Sequence, residues 1–291
     1  MKSALSHIRS YLSLVRFSHT LYAMPFALIG FFLAGTGHWS SLHWKLLILV
    51  ILCMVFARSA AMGFNRWLDR HFDRINPRTA GREIPAGKIP ASSALVFVAA
   101  CSLLFILTAW QINSLCGALS FAALGVILGY SYTKRFTPLC HLVLGLGLGF
   151  TPIGAWLAVQ GYFAWLPILF SLLVVCWVSG FDIIYSLQDV PFDRSQHLRS
   201  IPEWLGRRSG IRIARFLHLL ALGFLVAAGI RGQGGWLFWT GASLFALILV
   251  YQHTQVRADD LSRINLRFMT ANGLASCVFA LFVIADLVTR S

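Results

Sequence analysis

Nine apolar runs follow one another along the chain, at about 18–36, 45–64, 92–110, 113–131, 139–160, 163–185, 213–230, 235–253 and 269–288. Each is long enough to carry an α-helix across ~30 Å of hydrocarbon, which takes roughly 17–25 residues. The pattern predicts an all-α polytopic membrane protein with nine transmembrane helices. Nine is odd, so the two termini are expected on opposite faces of the membrane.

The polar segments between the runs alternate in charge. Segments 1–17, 65–91, 132–138, 186–215 and 254–268 hold 20 of the 24 Lys and Arg residues, and the opposite connections hold only Lys45, Arg231 and Arg290. Basic residues stay on the cytoplasmic side, so this split places the N-terminus and the long loops in the cytoplasm. The expected location is a bacterial inner (plasma) membrane. Lys2, Arg9 and Arg16 precede the first run, which lacks a small-residue cleavage site and is read as a retained helix.

Composition agrees with a lipid bilayer as the solvent. The 291 residues are 58% hydrophobic and only 12% charged, about half the charged share of a soluble domain. The net charge of +14 is explained by cytoplasmic loops meeting anionic lipid; nucleic acid is not an expected partner. None of the six cysteines forms a C-x-x-C pair and most lie inside apolar runs, so they read as small buried hydrophobes.

The acidic residues are few and clustered. Five of the ten fall in two stretches: Asn65-x-x-x-Asp69-x-x-x-Asp73 after the second run, and Asp182-x-x-Tyr185-x-x-x-Asp189-x-x-x-Asp193 after the sixth. Spacing of four puts these side chains on one helix face, where carboxylates repel unless a cation intervenes. The loops that follow also run in parallel. One reads Asp73-Arg74, Arg82, Ile84-Pro85 and Gly87; the other reads Asp193-Arg194, Arg199, Ile201-Pro202 and Gly206. The expected organisation is one domain, 1–291, made of pseudo-repeat halves at about 1–138 and 139–291. The alternative is ordinary loop punctuation by proline and glycine.

Aspartates at a membrane boundary are costly unless paired or bound to a cation. Carboxylates with an Asn suit Mg²⁺, which takes one or two carboxylates, keeps waters and draws further oxygens from substrate phosphates. Arg74, Arg78, Arg82, Lys134, Arg135 and Arg194 share the same cytoplasmic layer and are of the type that binds phosphate oxygens. A diphosphate head beneath an apolar, helix-lined space points to an isoprenoid diphosphate. Metal and basic groups stabilise the leaving diphosphate, and the allylic cation left behind survives where water is excluded. The glycines of Gly145-Leu146-Gly147-Leu148-Gly149 and Gly154 fit two roles, close helix packing or room for a bulky ligand, and the sequence leaves both open.

These motifs resemble the UbiA superfamily of intramembrane prenyltransferases over almost the whole chain. The matching residues are Asn65, Asp69 and Asp73; Arg78-Thr79 with Arg82; the stretch YSYTKRFT from Tyr130 to Thr137; Asp182 to Asp193; and Ser200-Ile201-Pro202. The resemblance implies nine helices around a central cavity and Mg²⁺-dependent transfer of a prenyl chain from polyprenyl diphosphate. It implies that Asn65, Asp69 and Asp73 hold one Mg²⁺ and that Asp189 and Asp193 hold another. Lys134, Arg82 and Arg194 would contact the diphosphate. Arg78, Tyr130, Arg135, Asp182 and Tyr185 join the substrate-binding set. The stretches from Arg16 to Leu21, Pro25 to Ala27 and Asn76 to Lys88 are similar to the branch acting on aromatic carboxylic acids, the 4-hydroxybenzoate polyprenyltransferase subgroup. The acceptor would be 4-hydroxybenzoate or a dihydroxynaphthoate, in ubiquinone or menaquinone biosynthesis.

Arg58 lies inside the second apolar run, seven residues before Asn65 and on nearly the same helix face. A lone intramembrane Arg needs a partner. It grips the acceptor's carboxylate, with Arg16 as helper, or it is a structural pair. Two other functions stay open at this point. One is prenylation of another acceptor, such as haem or a chlorophyll precursor. The other is a non-catalytic lipid transporter, which leaves the paired acidic motifs without a purpose.

Overall fold

The computed structural model describes residues 10–15, 24–36, 44–261 and 266–290. Every regular element among them is helical: α1 (Met24–Ala34), α2 (Trp44–Leu68), α3 (Arg70–Ile75), α4 (Ala91–Ile112), α5 (Ser114–Thr133), α6 (Cys140–Gln160), α7 (Trp165–Ser186), α8 (Val190–Ser195), α9 (Ile201–Leu205), α10 (Arg207–Arg231), α11 (Trp236–Gln255) and α12 (Leu266–Thr289). Eight of these are long and apolar enough to cross a membrane, and α1 is a shorter apolar helix of 11 residues. Together they follow the nine apolar runs in order. The main difference is α10, which begins at Arg207, six residues before its apolar run. Arg207, Arg208 and Arg212 lower the hydropathy of its first turns without breaking the helix.

The helices pack as two closed circuits that share a wall. In the first, α1, α2, α4, α5 and α6 contact one another in turn. In the second, α1 and α6 are joined through α7, α10, α11 and α12. The second circuit is solid. Phe26 of α1, Trp177 of α7, Phe245 of α11 and Phe279 of α12 are fully or almost fully buried and meet around its centre. Their ring centroids lie 5.5 Å apart for Phe26–Trp177, 5.5 Å for Trp177–Phe245, 5.4 Å for Phe245–Phe279 and 6.2 Å for Phe279–Phe26. Tilted and edge-on aromatic pairs of this kind add about 0.5–1.5 kcal/mol each beyond the area they bury. In lipid, such packing replaces the hydrophobic effect as the force between helices.

The first circuit is hollow. It encloses a cavity of about 460 Å³ whose walls are overwhelmingly apolar. At the end away from the acidic motifs, two amide side chains bind helix-end carbonyls. Asn113 Nδ2 donates to the Leu157 carbonyl at 2.9 Å while its Oδ1 accepts from Cys116 N at 2.8 Å, and Gln160 Nε2 donates to the Ala34 carbonyl at 2.6 Å. The Leu157 carbonyl also accepts from Gly161 N at 3.0 Å, so Asn113 adds a second bond there, in keeping with the need to satisfy polar groups at helix ends in a membrane.

Helix α6 divides the two circuits, and its glycines divide accordingly. A Cβ on Gly145 would press on Ser179 Oγ and the Val175 carbonyl, and one on Gly149 on Val175 Cγ2, so these two let α6 lie against α7. Gly147 and Gly154 face the cavity, and a Cβ on Gly154 would meet open space. Both roles left open by the sequence are present, on opposite faces of one helix. Gly149→Leu is therefore expected to destabilise the fold by about 1–3 kcal/mol through overpacking, while Gly154→Leu leaves stability unchanged. Thermal unfolding of both variants in detergent checks the contrast; equal melting temperatures would remove the assigned division.

Candidate active site

Both acidic motifs straddle a helix break. Asn65 closes the last turns of α2, the helix ends at Leu68, and Asp69 sits at the junction with φ −88° and ψ 5° before the six-residue α3. Asp182 and Tyr185 lie on α7, a 3₁₀ turn covers Leu187–Asp189, and Asp189 has φ −92° and ψ −2° before the six-residue α8. Asp73 and Asp193 are each the fourth residue of their short helix. The expected uninterrupted helix face is thus a bent one. In the second motif Pro191 supplies a cause, since it has no amide to bond the Leu187 carbonyl. In the first, Asp69 N still bonds the Asn65 carbonyl at 2.9 Å and Asp73 N the Asp69 carbonyl at 2.8 Å, so i, i+4 spacing is retained across the bend.

Basic side chains from distant segments hold the carboxylates. Lys134 Nζ lies 2.5 Å from Asp69 Oδ2 and Arg135 Nη2 3.2 Å from Asp69 Oδ1. The Asn65 amide also donates to Asp69 Oδ2, at 3.2 Å. Arg82 Nη1 is 2.6 Å from Asp73 Oδ1. Arg78 grips Asp189 with both arms, Nε to Oδ1 at 3.0 Å and Nη2 to Oδ2 at 2.5 Å, and donates through Nη1 to Tyr185 Oη at 3.1 Å. Burial alone would lower the Arg78 pKa, but the Asp189 carboxylate and Tyr185 outweigh it and raise the pKa, so the guanidinium stays charged. Arg78 belongs to the loop after the first motif and Asp189 to the second. One bidentate pair therefore joins the two halves of the site.

Asp182 and Asp193 are held differently. His141 Nδ1 is 2.7 Å from Asp182 Oδ2, and Ser200 Oγ donates to Asp193 Oδ2 at 3.1 Å. The sequence reading named neither His141 nor Ser200 as a site residue. Ser200 carries a recognisable signal: Ser200-Ile201-Pro202-Glu203 has capping-box spacing, and Ser200 Oγ accepts from Glu203 N at 3.3 Å. His141 carries no such signal. Arg194 is exposed and has no ion pair with a described residue. Arg16 lies outside the described residues.

The cavity begins where the acidic layer ends. Arg58 and Tyr130 are its polar lining residues at that end, beside Ala61, Met62, Ile127 and Leu144. Tyr130 lines the cavity one turn before Lys134, the partner of Asp69, so the last turn of α5 runs from the cavity to the first motif. Phe105, Cys116, Gly154 and Phe163 line the cavity further on.

A divalent ion is compatible with the donor set. Asp73 Oδ2 is buried and has no hydrogen-bond partner among the described residues, and a buried carboxylate oxygen left in that state calls for a cation. Among the described residues no three His, Cys, Asp or Glu side chains converge on one point. At most two carboxylates could meet on one ion, and the remaining positions around a hard cation would fall to phosphate oxygens and water.

Such a fold, with a charged head layer over an apolar pocket, defines a polytopic membrane protein built for an amphiphilic substrate. The UbiA prenyltransferase family model matches residues 23–274, and the protein belongs to that family. It is 31% identical over 272 residues to the 4-hydroxybenzoate octaprenyltransferase of Paraburkholderia phytofirmans, covering 92% of this chain and 93% of that one. It is 33% identical over 240 residues to the protein of the same name from Aeromonas salmonicida, covering 81% of each. Among solved structures, the apo UbiA homologue from Aeropyrum pernix K1 superposes with a TM-score of 0.83 at 30% identity, over 92% of this chain and 98% of that one. A UbiA homologue from Archaeoglobus fulgidus bound to GPP and Mg²⁺ shares the fold, with a TM-score of 0.74 at 19% identity over 96% and 99% of the two chains.

The carboxylate pairs differ in burial, and their energetics should differ with it. The Asp73 side chain is 7% exposed and its Arg82 partner 19%, whereas Asp189 and Arg78 are 21% and 35% exposed. Arg82→Met strands a buried charge and is expected to cost roughly 3–5 kcal/mol. Asp73→Asn added to it should restore part of the loss. Arg78→Met is expected to cost only about 0–1 kcal/mol because solvent screens that pair. Thermal unfolding of the three variants in detergent reads the difference, and an Arg82→Met protein as stable as Arg78→Met would contradict it.

Proposed function

We propose that this protein transfers a polyprenyl group from polyprenyl diphosphate to the ring of an aromatic hydroxy acid, 4-hydroxybenzoate or a dihydroxynaphthoate, in quinone biosynthesis. The observation that carries this reading is Arg58, a cation in the wall of an apolar cavity that Tyr130 also lines, two turns along α2 from Asn65 of the first acidic motif. An apolar tail needs no such cation; an aromatic carboxylate does, and guanidinium binds carboxylate through two parallel hydrogen bonds. The names of the Paraburkholderia and Aeromonas relatives agree with that acceptor class.

The residues have distinct tasks. Arg58 anchors the acceptor by its carboxylate at the cavity's charged end, and the apolar walls receive the prenyl chain and exclude water. Lys134, Arg135, Arg82 and Arg78, already paired with carboxylates, are within reach of a diphosphate head and can exchange a carboxylate oxygen for a phosphate oxygen; Arg194 is free to approach it from α8. Mg²⁺, held by Asn65, Asp69 and Asp73 and by Asp189 and Asp193, would draw charge from the departing diphosphate. The C–O bond of the allylic diphosphate breaks and the electron pair leaves with diphosphate. The allylic carbon then bonds a ring carbon, and that carbon's hydrogen departs as a proton. Tyr130, between cavity and motifs, presents an electron-rich ring to the transient cation. Tyr185 positions Arg78 through the hydrogen bond between them.

Two further parts of the reading concern organisation. The halves 1–138 and 139–291 are pseudo-repeats of one domain, which is supported by the matching break, short helix and fourth-position aspartate of the two motifs. The N-terminus and both motifs face the cytoplasm of a bacterial inner membrane, which is supported by the 20-to-3 distribution of Lys and Arg.

Purified protein in lipid nanodiscs, given polyprenyl diphosphate and 4-hydroxybenzoate, is expected to form the prenylated acid detected by mass spectrometry. EDTA should stop the reaction and Mg²⁺ restore it. Asp69→Ala and Asp189→Ala should each lower turnover about a hundredfold or more. Arg58→Ala should raise the acceptor's KM by tens to about a hundredfold, as expected for loss of a charge-assisted pair, and leave the KM of the prenyl diphosphate unchanged. A rise in both constants, or turnover in EDTA, would defeat the scheme.

Orientation has its own test. On a cysteine-free background, Ser195→Cys should react only with cytoplasmic thiol reagent and Tyr162→Cys, in the turn between α6 and α7, only with external reagent. Labelling of both from one side would overturn the assignment.

A further inference from the structure

His141 is a buried ring with two engaged nitrogens. It lies in the first turn of α6 and is 3% exposed. Its Nδ1 stands 2.7 Å from Asp182 Oδ2, while the backbone N–H of Ile201 points at its Nε2 from 3.4 Å. A carboxylate oxygen only accepts, so Nδ1 carries a proton and donates it to Asp182. The hydrogen bond fixes one oxygen of Asp182 and leaves the carboxylate an acceptor through the other. Asp182 Oδ1 has no hydrogen bond to a described residue, and the side chain remains 28% exposed. The ring is itself held by the fold. The His141 carbonyl accepts from Ser179 Oγ at 3.1 Å, and Ile201 opens α9 next to Ser200, which caps that helix and binds Asp193.

We propose that His141 is the positioning residue that fixes the Asp182 carboxylate as the hydrogen-bond acceptor for the ring hydroxyl of the aromatic substrate. The inference rests on the aromatic-acid reading above and deepens it. Arg58, Tyr130 and Leu144 line the cavity together, and Leu144 lies one turn along α6 from His141, the partner of Asp182, so a ring at that end of the cavity has a cation for its carboxylate and, toward α7, a carboxylate for its hydroxyl. The pair recognises a hydroxy acid by both of its polar ends. Drawing negative charge onto the phenol oxygen also makes the ring carbon beside it more nucleophilic toward the allylic cation. No group is transferred in this step; the hydroxyl proton is shared with Asp182, and His141 keeps its own.

The readout is a ratio of affinities that a purely structural histidine would not move. Binding of 4-hydroxybenzoate and of benzoate, which lacks the hydroxyl, is measured by calorimetry on the full chain in nanodiscs with Mg²⁺ and an unreactive prenyl thiolodiphosphate. The wild type should prefer the hydroxy acid by about tenfold or more, the worth of a hydrogen bond to a charged group. In His141→Ala the preference should fall to about one while benzoate binds as before. His141→Asn, whose amide nitrogen stands near the place of Nδ1, should keep most of it. If His141→Ala does not fold, Asp182→Asn should lose the same preference. A ratio retained in His141→Ala or Asp182→Asn overturns the proposal, as does a ratio lost equally in His141→Asn. A wild type that binds neither acid overturns the aromatic-acid reading and this inference with it; a wild type that binds both equally overturns this inference alone.

Discussion

The site depends on ion pairing at the membrane boundary. Asp69 and Asp73 are almost completely buried, and an isolated carboxylate there would be many times costlier than one in water. Lys134 and Arg135 reach Asp69 from the end of α5, and Arg82 reaches Asp73 from the loop after α3. Arg78 and Asp189 close the gap between the two motifs across 111 residues of sequence. These contacts offset the repulsion between neighbouring carboxylates. They also gather Lys134, Arg135, Arg82 and Arg78 into one basic layer at the mouth of the acidic motifs.

Below that layer the two circuits divide the labour. One is filled by the Phe26, Trp177, Phe245 and Phe279 cluster and holds α7 rigidly in place. The other is empty enough to admit an apolar chain. The second acidic motif extends from the solid half, and the first borders the hollow half. An active site assembled from loops benefits from one immobile reference, and α7, the most enclosed of the spanning helices, provides it.

Much of this was legible in the sequence. Apolar length located the helices, because a bilayer imposes a minimum span that few other constraints imitate. The rarity of carboxylates made the two motifs conspicuous. What escaped were properties of three-dimensional neighbours. Nothing in the spacing of Arg78 indicates a partner at Asp189, and nothing around His141 indicates that its ring meets Asp182. The bends at Asp69 and Asp189 change the backbone direction without changing the i, i+4 spacing from which a continuous helix was expected. The glycines of α6 looked alike in one dimension, and only their facing separates those that touch α7 from those that border empty space.

That facing has a consequence for how such a protein can diversify. Substitutions on the cavity side of α6, at Gly147 or Gly154, reshape the space offered to a guest molecule while the contact with α7 stays untouched. Substitutions on the other side, at Gly145 or Gly149, are punished at once by the neighbouring backbone. A single helix thus carries one face free to drift and one that is frozen. A lineage can try out new guests by point mutation along the permissive face without first acquiring stability to spare.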